Sequence, residues 1–535
     1  MTVSFVVILI IACVMAVLAK RLKLPYTVML VAAGLVVSWL NGSGDANKLG
    51  IAIHLTPELL LQLFLPILLF EAAFHVDLDE FLENKRAILF LAIPGVIVGM
   101  LLTTVIFLPA AQLFGSHLEW QVVLLIASML AATDPISVVA LFKEFTVSKR
   151  LGIIIEGESL INDGIAVVLF GVVVKITFDA LGLKIPHLDP SGGVEPIRIF
   201  GHFMWEVSVG AALGLAIGLG ISYITSKFND HLIEVALTAV AAYGSNTAAM
   251  QLHASGVIAV VICGMMIGNV GAKHGMSPTT REAVFSFWEF TAFLANSFVF
   301  ILIGLEIDLR GFWGDAGLIL LFFFIMMIVR ALVVSSVSAL IRREDLRLKK
   351  PWLPVITWSG VRGSLSMVLA MMLVTTTEAG AAHRDTILNV VYGVVLISIL
   401  AQGTTMAWLM KRADLIVETK EETDYEMALA RRQAVRCLMQ ELIDAEKNGT
   451  LSNDTFEILH NQLNSRREAN DNRIAQMLET NPSLNNLELE MQAAHLRALE
   501  KQVYRDLEKE GDIDYESMES LVRDVVEQAS KKDDH

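Results

Sequence analysis

The sequence predicts an all-α polytopic membrane protein with a helical tail outside the membrane. Three observations predict this fold class: an apolar composition, a series of apolar runs of bilayer-spanning length, and a bias in the charge of the loops between them. Of the 535 residues, 54% are hydrophobic and 18% are charged, and the mean hydropathy of +0.59 lies far above that of soluble domains. A soluble globular protein is therefore excluded.

Thirteen apolar segments are expected to cross the membrane as helices, because about 20 apolar residues in a helix span the hydrocarbon core. The first is expected to be a transmembrane helix rather than a signal peptide, since no basic residue precedes it and no small-residue cleavage site follows it. The segments are 3–19, 25–40, 58–74, 87–108, 120–141, 151–177, 203–225, 231–250, 256–271, 284–306, 316–341, 352–376 and 386–410.

The charges of the loops indicate the orientation. With the N-terminus outside and the C-terminus in the cytoplasm, the loops assigned to the cytoplasm contain eighteen Lys and Arg residues, and those on the opposite side contain six. Cytoplasmic loops carry such an excess of Lys and Arg. We therefore expect a multi-pass protein of the inner or plasma membrane in this orientation.

Composition divides the chain at residue 412. Residues 1–412 hold 26 basic and 28 acidic residues, whereas residues 413–535 hold 15 and 28, so the tail carries most of the net charge of −15. Apolar residues spaced three and four apart predict helices in this acidic tail, for which a cytoplasmic regulatory role is expected. Neither part has a catalytic or nucleotide-binding motif, so we expect a transporter rather than an enzyme, with no cofactor and no nucleic-acid partner. The cysteines show neither disulfide nor metal-ligand spacing; they are Cys13, Cys263 and Cys437.

An odd count of thirteen segments allows two inverted six-helix repeats on either side of segment seven. Segments five and twelve then correspond, and each is interrupted by residues that break helices. Broken helices at corresponding positions of two repeats indicate an ion site near the middle of the membrane. The interrupting residues are Thr133-Asp134-Pro135 in segment five and Gly360-Val361-Arg362-Gly363 in segment twelve.

Segment six presents polar side chains on one helical face. A spacing of four residues places Ser159 over Asp163, and Glu158 over Asn162 on the neighbouring stripe. A carboxylate at the centre of a membrane helix costs about 2.5 to 3.5 kcal/mol. Carboxylates in this position therefore require a partner or a function.

Segment five offers backbone as well as side-chain oxygens. Pro135 lacks an N–H and restricts the residue before it, so backbone carbonyls near Asp134 lose their helical partners. Oxygen ligands of this kind suit a hard cation. The sequence therefore predicts a Na⁺ site, with K⁺ as the main alternative ion, whose side-chain ligands are Thr133, Asp134, Ser159 and Asp163.

Taken together, these residues resemble the NhaP-type bacterial and archaeal antiporters of the cation/proton antiporter superfamily, relatives of the eukaryotic NHE exchangers. The resemblance covers residues 1–412 and also includes Phe70-Glu71-Ala72 in segment three and Arg330 in segment eleven. It implies a homodimer, with a six-helix core domain in each protomer that contains the two broken helices crossing each other.

The resemblance also implies roles for single residues. Asp163 is expected to be the carboxylate that binds either the cation or a proton. Asn162 stands where electrogenic relatives have a second aspartate, and it is expected to orient the site. The residues expected to complete or approach the site are Thr133, Asp134, Ser159 and Glu71.

Two arginines lie within the apolar segments. A lone guanidinium is too costly to leave unpaired in membrane, and the resemblance implies a structural ion pair between Arg330 and Glu158. For Arg362, two interpretations stay open: it neutralises the C-terminal dipole of a half-helix, or it takes part in pH sensing. Glu156, His253 and His274 are expected to be solvated surface residues.

One aspartate that must lose its proton to accept a cation makes the two ligands compete, and competition at a site open to one side at a time produces exchange. We therefore expect alternating-access exchange of Na⁺ or Li⁺ for H⁺. With Asn162 uncharged, the expected stoichiometry is an electroneutral one for one. The alternatives are a K⁺/H⁺ antiporter and, less favoured, a cation channel or a membrane receptor built on a transporter fold.

Overall fold

The computed structural model is helical in most of the residues that it describes. It describes all residues except 1, 23, 42–58, 114, 145–146, 182, 185–195, 228–229, 308, 342–347, 376–377, 416–419, 449–452, 481–495 and most of those after 496. Three predicted features lie partly outside the described residues: the start of segment three, the basic loop near 342–347, and the tail beyond residue 480.

The helices up to residue 415 are α1 (Thr2–Leu22), α2 (Tyr26–Asn41), α3 (Leu65–His75), α4 (Leu78–Phe90), α5 (Val96–Leu113), α6 (Trp120–Met129), α7 (Ile136–Glu144), α8 (Lys149–Leu181), α9 (Pro196–Thr225), α10 (His231–Gln251), α11 (Gly256–Met266), α12 (Pro278–Glu306), α13 (Leu309–Gly314), α14 (Ala316–Leu340), α15 (Trp352–Trp358), α16 (Ser364–Met371), α17 (Glu378–Ile397) and α18 (Gly403–Arg412). Stretches of π-helix precede α3, join α4 to α5, extend α11 and join α17 to α18; they are Leu59–Phe64, Leu91–Gly95, Ile267–Gly275 and Ser398–Gln402.

Among the described residues, eight helices, some of them joined through π-helical stretches, are long and apolar enough to cross a membrane: Phe5–Leu22, Leu78–Leu113, Lys149–Thr177, Gly201–Thr225, Gly256–Lys273, Thr280–Glu306, Ala316–Leu340 and His383–Arg412. Three shorter apolar helices are Tyr26–Trp39, Leu59–His75 and Trp120–Met129. The predicted segment eight corresponds to α10, and segment twelve to the α15 and α16 pair. The total of thirteen crossings stays a prediction.

Segment four begins earlier than its hydropathy predicts. The helix starts at Leu78 because the Asp77 carboxylate accepts hydrogen bonds from the N–H groups of Asp79 and Glu80, at 2.9 and 3.3 Å, which caps the first turn. The helix does not end at Pro94, which has no backbone N–H to donate, but continues past it through a π-helical stretch.

A short strand pair was not part of the predicted fold. β1 (Leu183–Lys184) follows α8, and β2 (Val374–Thr375) follows α16. They pair antiparallel with Leu183 opposite Thr375. The pairing satisfies backbone groups that have left their helices.

Both helices that were predicted to be broken are interrupted. The helix of segment five stops at Met129 and resumes at Ile136, which leaves a first break at 130–135. The helix of segment twelve stops at Trp358 and resumes at Ser364, which leaves a second break at 359–363. Each break contains the helix-breaking residues that the sequence places there.

Two large apolar clusters pack in this part of the chain. One includes Leu125, Val138 and Leu365 from α6, α7 and α16, and the other includes Phe70 and Trp288 from α3 and α12. The first compact unit of the chain, Met1–Ile416, contains both clusters. Dense packing of this kind holds neighbouring polar side chains in fixed positions.

The second compact unit, Val417–His535, is built on α19 (Lys420–Lys447) and α20 (Asn453–Thr480). These two helices bury Tyr425 and Leu429 against Ile474, and the Asn470 side chain donates a hydrogen bond to the carbonyl of Ala428 at 2.8 Å. Contacts between the start of one helix and the end of the other require an antiparallel hairpin.

Candidate functional site

The polar face of α8 lies against the first break. Asn162 is fully buried, and its Nδ2 donates to the carbonyl of Ala131 and to Oγ1 of Thr133, both at 3.0 Å. The hydroxyl of Ser159 donates to the backbone carbonyl of Thr133. Two side chains of α8 therefore satisfy oxygens that the interruption has removed from their helix.

The two breaks are bonded to each other. The N–H of Asp134 donates to the carbonyl of Val361 at 2.7 Å, and Oδ1 of Asp134 accepts from the N–H of Ile136 at 3.1 Å, at the start of α7. Gly363 lies so close that a Cβ atom added there would be 2.2 Å from Oδ2 of Asp134. The absence of a side chain at Gly363 is what allows this approach.

The carboxylates of Asp134 and Asp163 line the same cavity, which has a volume of about 520 Å³. Both carboxyl-bearing residues are partly accessible, whereas the neighbouring Glu158 and Asn162 are buried. This aspartate cavity also contains every other predicted oxygen ligand and Glu71; these lining residues are Glu71, Thr133, Asp134, Ser159 and Asp163. Asn162 is not among the lining residues, and it reaches the site through its bonds to the first break.

Glu71 stands at the cavity on α3, one turn before His75. Nδ1 of His75 lies 3.4 Å from Oε1 of Glu71 and 2.8 Å from its backbone oxygen. Both residues line the aspartate cavity, and both lie on the last turn of α3 before the capped start of α4. Glu156, which was expected to be solvated, also lines the cavity.

Glu158 and Arg330 form a buried bidentate ion pair. Nη1 and Nη2 of Arg330 donate to Oε1 and Oε2 of Glu158 at 2.7 and 2.6 Å, and the residues are 1% and 8% exposed. Nη2 also donates to the carbonyl of Ile356 at 3.3 Å, near the end of α15. Neither residue lines the aspartate cavity, so the pair ties α8 and α14 to a broken helix and lies outside that cavity.

Arg362 lies in the second break and bonds the end of the first broken helix. Its Nη1 donates to the carbonyls of Ala131 and Ala132 at 2.7 and 3.0 Å, and its backbone N–H donates to Oγ of Ser398 at 2.8 Å. These two carbonyls lie in the first break, just beyond the C-terminal end of α6 at Met129. A cation near the C-terminal end of a helix interacts favourably with the helix dipole, so this position favours the first interpretation of Arg362, which stays a prediction.

Sequence reasoning missed two kinds of site residue. Gly363 was noted only as a helix breaker, and its close approach to Asp134 depends on a neighbour more than two hundred positions away. Glu289 and Asn296 of α12 also line the aspartate cavity. The available signal for them was their position as polar residues within a predicted membrane segment.

The remaining candidates lie away from this site. His253 follows α10 with a φ of 51° and is exposed, and the side chain of His274 lies outside the described residues. Cys263 is buried, whereas Cys13 and Cys437 are exposed, and all three are free thiols. Within the described part of the chain, no group of three His, Cys, Asp or Glu residues has the geometry of a metal site.

Comparison with known proteins identifies the family. The pattern of the family described as "Sodium/hydrogen exchanger, transmembrane" matches residues 6–412. The chain is 33% identical over 511 residues to the Na(+)/H(+) antiporter ApNhaP of Aphanothece halophytica, covering 94% of this chain and 92% of that one. It is 32% identical over 530 residues to the low-affinity Na(+)/H(+) antiporter NhaS1 of Synechocystis sp., covering 97% and 95%.

The fold is also that of a solved antiporter. The structure of MjNhaP1 from Methanocaldococcus jannaschii matches with a TM-score of 0.62 at 17% sequence identity, covering 77% of this chain and 98% of that one. The likeness to ApNhaP and NhaS1 extends beyond residue 412 into the tail, since it covers more than nine tenths of the chain. This multi-pass membrane protein therefore belongs to the sodium/hydrogen exchanger family, among relatives that are NhaP-type Na⁺/H⁺ antiporters.

Proposed function

We propose that this protein exchanges Na⁺, or Li⁺, for H⁺ across the cell membrane. The observation that carries the proposal is the pair of carboxylates, Asp134 and Asp163, which line one cavity at the place where two interrupted helices bond to each other. The relatives ApNhaP and NhaS1 are named Na⁺/H⁺ antiporters, which supports sodium as the cation.

The donor set suits a small hard cation as transported substrate. Carboxylate, hydroxyl and backbone carbonyl oxygens are the ligands that such ions prefer, and the cavity offers them on Asp163, Asp134, Ser159 and Thr133. A proton on Asp163 removes the charge that attracts the cation, so the two substrates compete for one carboxylate. Asn162 takes no part in this competition, because its amide is neutral and already bonded to the first break.

Several residues that line the aspartate cavity lie near helix ends that the loop charges assign to the cytoplasm. His75 ends α3 on that side, Glu156 lies two turns from the start of α8 at Lys149, and Glu289 lies three turns from the start of α12. The basic residues that precede these helix starts fall in the loops assigned inside. This placement supports an inward-facing state in the proposed alternating-access cycle.

The surrounding charged groups maintain the architecture in this proposal. The Glu158–Arg330 pair and the bonds of Arg362 to the first break fix the two broken helices. Thirteen transmembrane helices in two inverted repeats, a homodimer, and a division into an antiporter domain (1–412) and a regulatory tail (413–535) complete the proposed architecture.

The proposed stoichiometry is one cation for one proton. Asn162 provides a neutral side chain beside Asp163, so the pair of adjacent positions carries at most one negative charge. If Asp134 keeps one protonation state through the cycle, equal charges move in opposite directions. No net charge then crosses the membrane.

Transport by the purified full chain in proteoliposomes tests the proposal. The vesicles have an acidic lumen and contain a dye whose fluorescence is quenched at low pH, and Na⁺, Li⁺ or K⁺ is added outside. With the unmodified chain we expect Na⁺ and Li⁺ to restore the dye fluorescence, and with Asp163→Asn we expect no change. A response to K⁺ alone would replace the proposal by K⁺/H⁺ exchange. Cation flux that proceeds without coupled proton movement would favour a channel and refute exchange.

A further inference from the structure

The wall of the aspartate cavity that α12 provides carries an oxygen atom with no assigned purpose. Four residues of α12 line the cavity at spacings of three, four and seven, which places them on one helical face: Glu289, Ala292, Phe293 and Asn296. Glu289 is exposed, and Asn296 lies deeper, separated from it by about 10.5 Å of helix rise. This α12 face therefore has a carboxylate near the cytoplasmic end and an amide near its middle.

The amide oxygen of Asn296 is unsatisfied. Its Oδ1 is buried, and no hydrogen-bond donor within reach is found among the described residues. Buried side-chain acceptors in native proteins almost always have a donor, and an exception calls for an explanation such as an absent ion or water. Because Asn296 itself lines the aspartate cavity, a cation in that cavity is a candidate partner for this oxygen.

The position of Asn296 is fixed by the packing of α12 against α2. The ring of Phe293 stacks on Tyr26 with 5.4 Å between ring centroids and 10° between planes. The Tyr26 hydroxyl lies 2.8 Å from Oγ of Ser297, the residue next to Asn296. The residues three positions before and one position after Asn296 are thereby anchored to α2.

The backbones of the two helices also meet directly. A Cβ atom added to Gly34 of α2 would lie 2.3 Å from the carbonyl oxygen of Ile301, and one added to Gly304 would lie 2.4 Å from that of Val31. Helices that approach this closely through glycines cannot shift without a clash. The α12 face is therefore a rigid wall, and a side chain on it occupies a predetermined place.

From these observations we infer that Asn296 is an additional oxygen ligand for the transported cation within the aspartate cavity, which rests on the proposed cation exchange. An amide oxygen is a usual ligand of hard cations. It binds the cation without competing for the proton, because an amide does not titrate in this range. Its contribution is therefore to apparent cation affinity, and the proton equilibrium is left to the aspartates.

Replacement of Asn296 by Leu removes the oxygen and keeps the side-chain volume. We expect the apparent KM for Na⁺ to rise about tenfold, the effect of losing one good polar contact, while the maximal rate at saturating Na⁺ stays within about twofold. The pH profile at saturating Na⁺ is expected to be unchanged. Asn296→Asp retains an oxygen at the same place, and we expect it to keep or lower the KM for Na⁺.

The matched control is Asn389→Leu. Asn389 donates to Oδ2 of Asp315 at 2.8 Å and does not line the aspartate cavity, so its loss is expected to leave the KM for Na⁺ unchanged. For each variant, the folded protein that remains after heating is measured by size-exclusion chromatography. If Asn296→Leu does not yield folded protein, Asn296→Ala takes its place.

The outcomes separate this inference from the function on which it rests. If the unmodified chain does not exchange Na⁺ for H⁺, both are overturned. If it does, a KM for Na⁺ within about twofold of the unmodified value in Asn296→Leu overturns only the ligand role of Asn296. A shifted pH profile with unchanged KM would also overturn it, because Asn296 would then act as a hydrogen-bond acceptor for a protonated aspartate.

Discussion

Breaking the buried ion pair between Glu158 and Arg330 is expected to destabilise the protein without changing the residues that line the aspartate cavity. The perturbation is Arg330→Met, which keeps most of the side-chain volume and removes the guanidinium. Both hydrogen bonds of the pair are short, at 2.6 and 2.7 Å, and Glu158 is 1% exposed. The variant would therefore leave a carboxylate buried among α8, α14 and α15 without its cation.

The magnitude follows from the burial of the pair. Removal of one partner of a buried ion pair costs about 3 to 5 kcal/mol, because the remaining charge is uncompensated. For the unit Met1–Ile416, an unfolding entropy of about 2.1 cal/mol/K per residue corresponds to about 0.9 kcal/mol per kelvin. We therefore expect the apparent melting temperature to fall by about 3 to 6 °C.

A double variant distinguishes the cost of an orphaned charge from the value of the pair. Glu158→Leu combined with Arg330→Met replaces both charges by apolar groups, and such replacements are commonly neutral or stabilising. We expect the double variant to regain most of the melting temperature that Arg330→Met loses. The two substitutions are then strongly non-additive, as residues in contact are.

The melting temperature of each purified variant is measured by heating samples and recording the fluorescence of the protein peak on size-exclusion chromatography. The proteoliposome assay measures transport by the same samples. The reasoning would be refuted if Arg330→Met kept its melting temperature within about 1 °C, which corresponds to about 1 kcal/mol here, while losing transport. Arg330 would then be a transport group. A double variant less stable than Arg330→Met would equally contradict the role of the unpaired carboxylate.

Three further predictions concern the aspartate cavity. Asp163→Asn is expected to abolish Na⁺-driven proton flux while keeping the size-exclusion profile, because an amide does not ionise and so cannot release a proton in return for Na⁺; flux above that of empty liposomes would disprove the assignment. Gly363→Ala is expected to slow exchange on the order of tenfold to a hundredfold, since its Cβ would lie 2.2 Å from Oδ2 of Asp134. The control Gly171→Ala on α8, whose Cβ meets nothing within 4 Å, is expected to keep the rate. Proton flux is expected to be independent of a membrane potential set with potassium and valinomycin, although one net charge is worth about 2.3 kcal/mol per 100 mV; a voltage-dependent rate would mean that Asp134 or Glu71 also releases a proton.

The sequence predicted those parts of the site that local chemistry determines. Pro135 lacks the N–H that a helix needs and the glycines near 360 disfavour a helix, and the structure interrupts both helices there. Four-residue spacing on α8 determines that Ser159 and Asp163 share a face. These features depend on residues close together in the chain, so their pattern is visible without the fold.

Contacts between residues that are far apart in the sequence could not be predicted from such local patterns. The choice of Ala131 and Ala132 as acceptors for Arg362 depends on how two broken helices cross, which left two interpretations of Arg362 open. The start of α4 at Leu78 depends on the Asp77 cap in a polar stretch, which a hydropathy window assigns to a loop. Asn296 is one of several polar residues in predicted segment ten, and only the fold shows that it lines the aspartate cavity.

The hydrogen bonds between the two breaks bear on how the site changes access. Asp134 of the first break donates to Val361 of the second, and Arg362 of the second donates to Ala131 and Ala132 of the first. Within an apolar environment, every backbone group released from such a bond would cost several kcal/mol. Separation of the two breaks is thus a poor route to opening the other side, and we expect them to move together. We therefore expect the joined breaks to move as one body relative to the wall that α3 and α12 form. The aspartate cavity lies along the boundary between these two parts.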